Sequence, residues 1–258
     1  MKFDWSQAYS FLSQGETYSK PLVGISACLC GDRVRYDGRD KGMPGLVETL
    51  EKKLTLVKVC PEVAIGMSVP RAPIQLVQIK QGKELKIEAR GIENPRQNVT
   101  EALGGYAQEI INRYTSTQSS NPILSGFILK NRSPSCGIKS TPIHENGKPI
   151  TIGNGIFSQQ LQQQLPWLPV TGEEALKQAS QQQAFIHRCQ LVASFWQRYL
   201  EHGLRAFHRS AISLIEHLPQ KDQLALDQLT NATSPKPQDY LTQLMGSLAM
   251  LNADNNGT

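Results

Sequence analysis

Three short apolar runs rich in Val, Ile and Leu, residues 21–26, 54–59 and 123–129, limit this chain more than any other feature. Each is strand length, and each ends in small or turn-forming residues. The first two are separated by Met43–Lys53, where Leu46, Val47 and Leu50 recur at helical spacing. A strand, a helix and a second strand in that order form a βαβ unit, so the strands are expected to lie parallel in one sheet. The expected fold class is therefore α/β, with a Rossmann-like parallel sheet.

The intervening segments fit around that sheet. Ile74–Ile79 and Glu84–Ala89 flank Gln81-Gly82 and predict an inserted hairpin; Glu145-Asn146-Gly147 predicts a second turn between short polar strands. Asn98 is placed to cap a helix with Val99, Leu103, Ala107, Ile110 and Ile111 on one face. Ile156–Leu165 reads as a further helix and Trp167–Val170 as a strand. Glutamine makes up nine of the twenty-five residues 159–183, a bias typical of solvated helix and linker. Residues 184–218, 223–230 and 238–251 are helical in period. The expected organisation is an N-terminal arm over 1–20, an α/β domain over 21–172, a Gln-rich linker over 173–183 and a small all-helical region over 184–253.

At 258 residues and 39% hydrophobic, the chain can bury a core without disulfides. No segment approaches the ~18 apolar residues of a membrane span, and the start lacks the pattern of a signal peptide. A cytoplasmic protein is expected, and in a reducing compartment five cysteines point to metal binding or catalysis rather than cross-linking. Residues 1–150 carry 20 basic and 14 acidic side chains, residues 151–258 carry 7 and 8. The positive excess lies in the α/β part, as suits an anionic ligand or RNA.

Cys28, Cys60 and Cys136 each fall one to seven residues beyond a predicted parallel strand, at the sheet edge where α/β proteins bind ligands. Three distant thiols thus converge on one site, in loops whose small residues let backbone N–H groups approach sulfur. A sulfur-rich site of this kind suits zinc or an iron–sulfur cluster. Cys30 is a possible fourth ligand, although Cys28-Leu29-Cys30 is not a usual spacing for either. Buried free cysteines are the plain alternative. Cys189, on an apolar helix face, reads as core, and His202 and His208, six apart, do not share a helix face.

The strings Ser26-Ala27-Cys28-Leu29, Arg35-Tyr36-Asp37-Gly38, Cys60-Pro61-Glu62-Val63, Val69-Pro70-Arg71 and Ser133-Pro134-Ser135-Cys136-Gly137 resemble, in this order, those of the thiouracil desulfidase family. The resemblance covers about residues 21–172. Phe185-Ile186-His187-Arg188 further resembles the joint to a helical accessory domain in the fused branch that acts on tRNA 4-thiouridine, here in shortened form. The resemblance implies a [4Fe-4S] cluster on Cys28, Cys60 and Cys136 with one iron open; Cys30 departs from the family, which usually has an aliphatic residue there. It implies non-redox desulfuration of a thiolated pyrimidine, as base, nucleoside or tRNA, with sulfur passing to the open iron and leaving as hydrosulfide. It assigns catalysis to Glu62 and Ser133. Arg35, Asp37, Arg71, Lys130 and Ser135 are candidate substrate-binding residues, and Arg132 shares their rim. The alternative is a tRNA-binding or metal-binding protein of the same fold without desulfurase activity.

Overall fold

The computed structural model describes residues 19–117 and 122–253; the expected N-terminal arm lies almost wholly outside the described residues. The central sheet is fully parallel, in the order β2 (Thr55–Val59), β1 (Leu22–Ser26), β5 (Leu124–Leu129), β8 (Val170–Gly172). β1 and β5 are buried along their whole lengths, which is why their sequences are continuous apolar runs. Gly24 sits opposite Phe127 in register, and a Cβ there would lie 2.4 Å from the ring, so this glycine is what lets the aromatic cross β1.

The chain moves from β1 through α1 (Pro44–Glu51) to β2 on one side, then returns through α2 (Pro61–Ala64) and α3 (Thr100–Thr115) to β5 on the other. Between β1 and β5 the direction of winding reverses, and such a reversal opens a crevice at the carboxyl ends of the strands. On one face, Val23, Ile25 and Ile128 pack with Leu50 of α1. On the other, Phe127 and Leu129 pack with Ile110 and Ile111 of α3 and Phe157 and Leu161 of α4 (Ile156–Gln164).

The two predicted hairpins form but do not extend the parallel sheet. β3 (Ile74–Gln81) and β4 (Glu84–Gly91) pair antiparallel, as do β6 (Thr141–Glu145) and β7 (Lys148–Gly153), and a parallel β3–β6 contact joins them in a second sheet, β4-β3-β6-β7. Its inner face, Ile74, Leu76, Ala89 and Ile143, has its own core with Leu103 of α3 and Ile156. The strand expected over 167–170 is shorter and later, because Trp167 and Leu168 are side chains of the core turn that precedes β8.

The linker expected over 173–183 is corrected. Glu173 and Leu176 are buried, and residues 179–183 already belong to α5 (Ala179–His202). Polar composition is confined to the outward side of that first turn, while Phe185, Ile186 and Cys189 of the same helix lie on the β1–β5 face. After α5 follow α6 (Leu204–Ser210), α7 (Ile212–Ile215), α8 (Gln220–Asn231) and α9 (Pro237–Ala253). They share one hydrophobic cluster with the α/β part: Trp167 packs edge-on against Trp196 at 5.5 Å, and Phe195 contacts Phe207 and Tyr240. Among the described residues no helix is long and apolar enough to cross a membrane.

Candidate active site

A cavity of about 420 Å³ opens at the carboxyl ends of β1, β2 and β5, and Cys28, Cys60 and Cys136 all line it. Cys28 lies in a 3-10 turn, Ala27–Cys30, closed by Gly31 at φ 89°, a left-handed conformation that favours glycine. Cys60 precedes α2, and its thiol donates to Val34 O at 3.9 Å, with the backbone N–H groups of Val63 and Glu62 close enough to favour the thiolate. Cys136 is held most tightly. The Ser133 hydroxyl accepts from the N–H groups of Ser135 (3.2 Å) and Cys136 (3.1 Å), and the Ser133 carbonyl accepts from Gly137 N (2.8 Å) and Thr141 Oγ1 (2.9 Å). From the other side Ile156 N donates to Pro134 O and Ser158 N to Ser135 O, so the start of α4 clamps the same turn.

Burial pushes the Cys28 thiol up to about 11, with Cys60 adding to the shift and Arg35 and Lys130 opposing it. Burial also raises Cys60 and takes Cys136 well above the ordinary thiol range; the Ser26 hydroxyl opposes the Cys136 shift, while Glu62, Cys28 and Cys60 add to it. Three sulfurs, two buried and that of Cys60 partly buried, in one another's field resist ionising together unless a cationic centre sits between them. Among the described residues, no three His, Cys, Asp or Glu side chains close on a point as one metal ion requires. The three thiols nevertheless line one cavity, and an all-sulfur donor set is the kind that holds a thiophilic centre such as an iron–sulfur cluster. Cys30 is not in the cavity wall. It packs half-buried beside Val34 and Met43, with Lys58 and Asp32 in its field. Cys189 is wholly buried behind β5, facing Gly126.

Glu62 reaches the cavity with both oxygens fixed. Oε2 accepts from Arg71 Nε (2.8 Å) and Nη2 (2.6 Å), and Oε1 accepts from Ser135 Oγ (2.9 Å). A carboxylate offers about four lone-pair sites, so three such bonds leave one on Oε1. Arg71 also donates to Val34 O (3.0 Å) and Ser68 O (3.1 Å), tying the loops after β1 and β2 together. Both partners are largely buried, and removing one side of such a pair costs about 3–5 kcal/mol.

Two residues expected to contact substrate make their bonds within the protein. Ser135 is wholly buried and its hydroxyl faces Glu62, so it orients the carboxylate. Asp37 does not line the cavity; it accepts from Arg39 N and pairs with Arg35 at 3.3 Å, shaping the loop. Arg71 lines the cavity, but its guanidinium is engaged by Glu62 and two carbonyls. Arg35 and Lys130 both line the wall, Arg35 over the Tyr36 ring at 5.4 Å. Lys130 is pinned by a residue that sequence reading placed in a linker: Glu173, 2% exposed, pairs with Lys130 Nζ and accepts from Asn131 N at 2.6 Å. No periodicity or motif marked Glu173; only its neighbour Gly172, at the end of a strand that the sequence displays poorly, hinted at a sheet edge.

A family model for 2-thiouracil desulfurase matches residues 23–173, more than half of the chain. This chain belongs to the 2-thiouracil desulfurase family. All three cavity cysteines, Glu62, Ser133 and Glu173 lie inside the desulfurase match, and α5 to α9 lie beyond it. An uncharacterized protein of Bacillus subtilis (strain 168), YbbK, is 30% identical over 146 residues, covering 55% of this chain and 90% of its own. Among solved structures, the [4Fe-4S]-dependent thiouracil desulfidase TudS is similar at 26% identity, with 62% of this chain and 94% of that one covered and a TM-score of 0.46.

Proposed function

We propose that this protein is a desulfidase that converts a thiolated pyrimidine, as free base, nucleoside or within tRNA, to its oxo form. The observation that carries the reading is the meeting of Cys28, Cys60 and Cys136 in one cavity with a Glu62 carboxylate locked by Arg71 and Ser135. In this reading the three cysteines hold a [4Fe-4S] cluster. When bound, that cluster supplies a thiophilic iron without a protein ligand, to which the sulfur of a C=S group is drawn.

The chain's own residues supply the rest. Glu62 keeps one acceptor site on Oε1 for a water and takes one of its protons as the water oxygen bonds to the ring carbon; the C–S bond then breaks, the oxygen stays as the new carbonyl, and the sulfur leaves as hydrosulfide with the other proton. A positioned base of this kind is worth about 10²–10⁴ in rate. Ser133, whose oxygen is occupied as an acceptor by two N–H groups, retains its hydroxyl proton to donate toward the substrate. Arg35, stacked on Tyr36, directs positive charge at the cavity and favours an acceptor atom of the pyrimidine. Exposed Lys41 and Arg132 stand at the mouth, where the phosphates of a tRNA substrate would pass.

The test is direct. Protein purified without oxygen should carry about four irons per chain and absorb near ~400 nm. Incubated with 2-thiouracil, 4-thiouridine and thiolated tRNA, it should release sulfide from at least one. A protein loaded with iron yet silent on all three overturns the desulfidase reading and leaves a metal-binding or RNA-binding protein of the same fold. A protein that loads no iron overturns the cluster.

A further inference from the structure

Glu173 stands at the carboxyl end of β8, the far edge of the central sheet, and is almost fully buried. Burying a carboxylate is costly unless it is paired and hydrogen-bonded. Here it is both: Oε1 faces the ammonium of Lys130, and Oε2 accepts from Asn131 N. Lys130 Nζ also donates to Asn131 O at 2.9 Å, and Lys130 N donates to Ser26 Oγ at 3.0 Å. Both ends of Lys130 are therefore fixed. An ammonium has three donors; two are used within the wall, and one is left on a side chain that lines the cavity. Lys130 is neutralised by a carboxylate of its own, so what it offers is a single, directed N–H rather than a net charge.

From this we infer that Glu173 is a positioning residue that holds the Lys130 ammonium so that its remaining N–H donates to an exocyclic carbonyl oxygen of a neutral pyrimidine ring. The inference rests on the desulfidase reading for its substrate class and extends it by naming the group that orients the ring. Lys130, on this account, discriminates for a neutral acceptor, while any phosphate is left to the mouth of the cavity.

The experiment uses full-length, anaerobically purified wild type, Glu173→Gln, Lys130→Met and the double variant, with three readouts: urea midpoint, Kd for uracil by calorimetry, and KM for 2-thiouracil. Glu173→Gln and Lys130→Met should each weaken uracil binding and raise KM about ten- to a hundredfold, the range for losing one hydrogen bond to a charged group. Each single variant leaves a buried group without its partner and should lower the urea midpoint; the double variant removes both charges and should recover much of it. Affinity should not recover with it. A purely structural pair predicts that stability and uracil affinity return together, and that result overturns the proposal, as does a Glu173→Gln protein within twofold of wild-type Kd. If Glu173→Gln fails to fold, the double variant alone decides. Wild type that binds uracil but releases no sulfide overturns the desulfidase reading and leaves the Glu173 test intact, whereas wild type that binds no uracil overturns the Glu173 proposal.

Discussion

Gly155 offers the sharpest test of how the Cys136 turn is held. Its backbone, φ −66° and ψ 157°, is open to any residue, so conformation does not demand glycine. Space does. A Cβ added there would lie 2.5 Å from the carbonyl carbon and oxygen of Ser135 and 2.7 Å from Cys136 N, where ordinary contact begins at 3.4 Å. The atoms in the way are backbone, and they belong to the turn that carries Cys136. That turn is tied by Gly155 N to Gly137 O (2.7 Å) and by Ile156 N to Pro134 O (3.0 Å), so it cannot withdraw without breaking hydrogen bonds. Gly155→Ala should therefore cost about 1–3 kcal/mol, as overpacking does. It should lower Tm by ~2–4 °C for each kcal/mol, and reduce the iron bound per chain by displacing Cys136. The control is Gly105→Ala, in mid-α3 and facing open space, which should stabilise by about 0.5–1 kcal/mol with iron unchanged. Urea midpoints and iron content of the two variants, measured side by side, check the pair. A Gly155→Ala protein with wild-type stability and full iron would refute the reasoning that α4 fixes the turn carrying Cys136.

Three further outcomes are expected. Cys28→Ser, Cys60→Ser and Cys136→Ser should each lose iron, while Cys30→Ser, outside the cavity wall, should keep it; iron loss in the Cys30 variant by colorimetric assay would make it a ligand. Glu62→Gln should retain iron and lower kcat at least about a hundredfold, whereas comparable turnover would place the base elsewhere. Burial raises the Tyr240 phenol, with Asp227 adding to the shift, so its folded-state pKa lies above the unfolded value of about 10. Its contribution to stability is thus complete below pH ~10 and lost as pH climbs further. The urea midpoint should fall more between pH 8 and 10.5 in wild type than in Tyr240→Phe; equal falls would remove Tyr240 from the account.

The sequence displayed what is buried on both faces and concealed what depends on distant pairing. β1 and β5 read as strands because every side chain in them is covered, and the thiols that follow could be placed from strand ends alone. The second sheet was not legible: its joining contact, Leu76 to Ile143, spans the insertion between two hairpins that are each locally complete. The Gln-rich stretch conceals its packing because its few apolar anchors, Leu176 and Phe185, lie on either side of an outward-facing polar turn. Glu62 was legible as a carboxylate beside a ligand, but its partners were not. Ser135 is 73 residues away in sequence, and Arg71 reads equally well as a substrate contact until its four hydrogen bonds are seen.

The same distinction changes the meaning of the basic excess in residues 1–150. Two of its cations, Arg71 and Lys130, are in the cavity wall, each paired with a buried or nearly buried carboxylate, Glu62 and Glu173. A third, Arg35, is paired more loosely with Asp37. A ligand inside the cavity therefore meets directed N–H groups whose charge is largely balanced nearby, conditions that favour a neutral, hydrogen-bonding ring over a free anion. One of the balancing carboxylates, Glu173, comes from outside residues 1–150, so a count by segment overstates the field at the site. Further charge stands on exposed Lys41 and Arg132, the latter in the field of Glu174, where solvent screens it. Net charge along the chain and charge felt by the substrate are thus different quantities here: the first suits attraction of a polyanion to the mouth, the second recognition of an uncharged pyrimidine within.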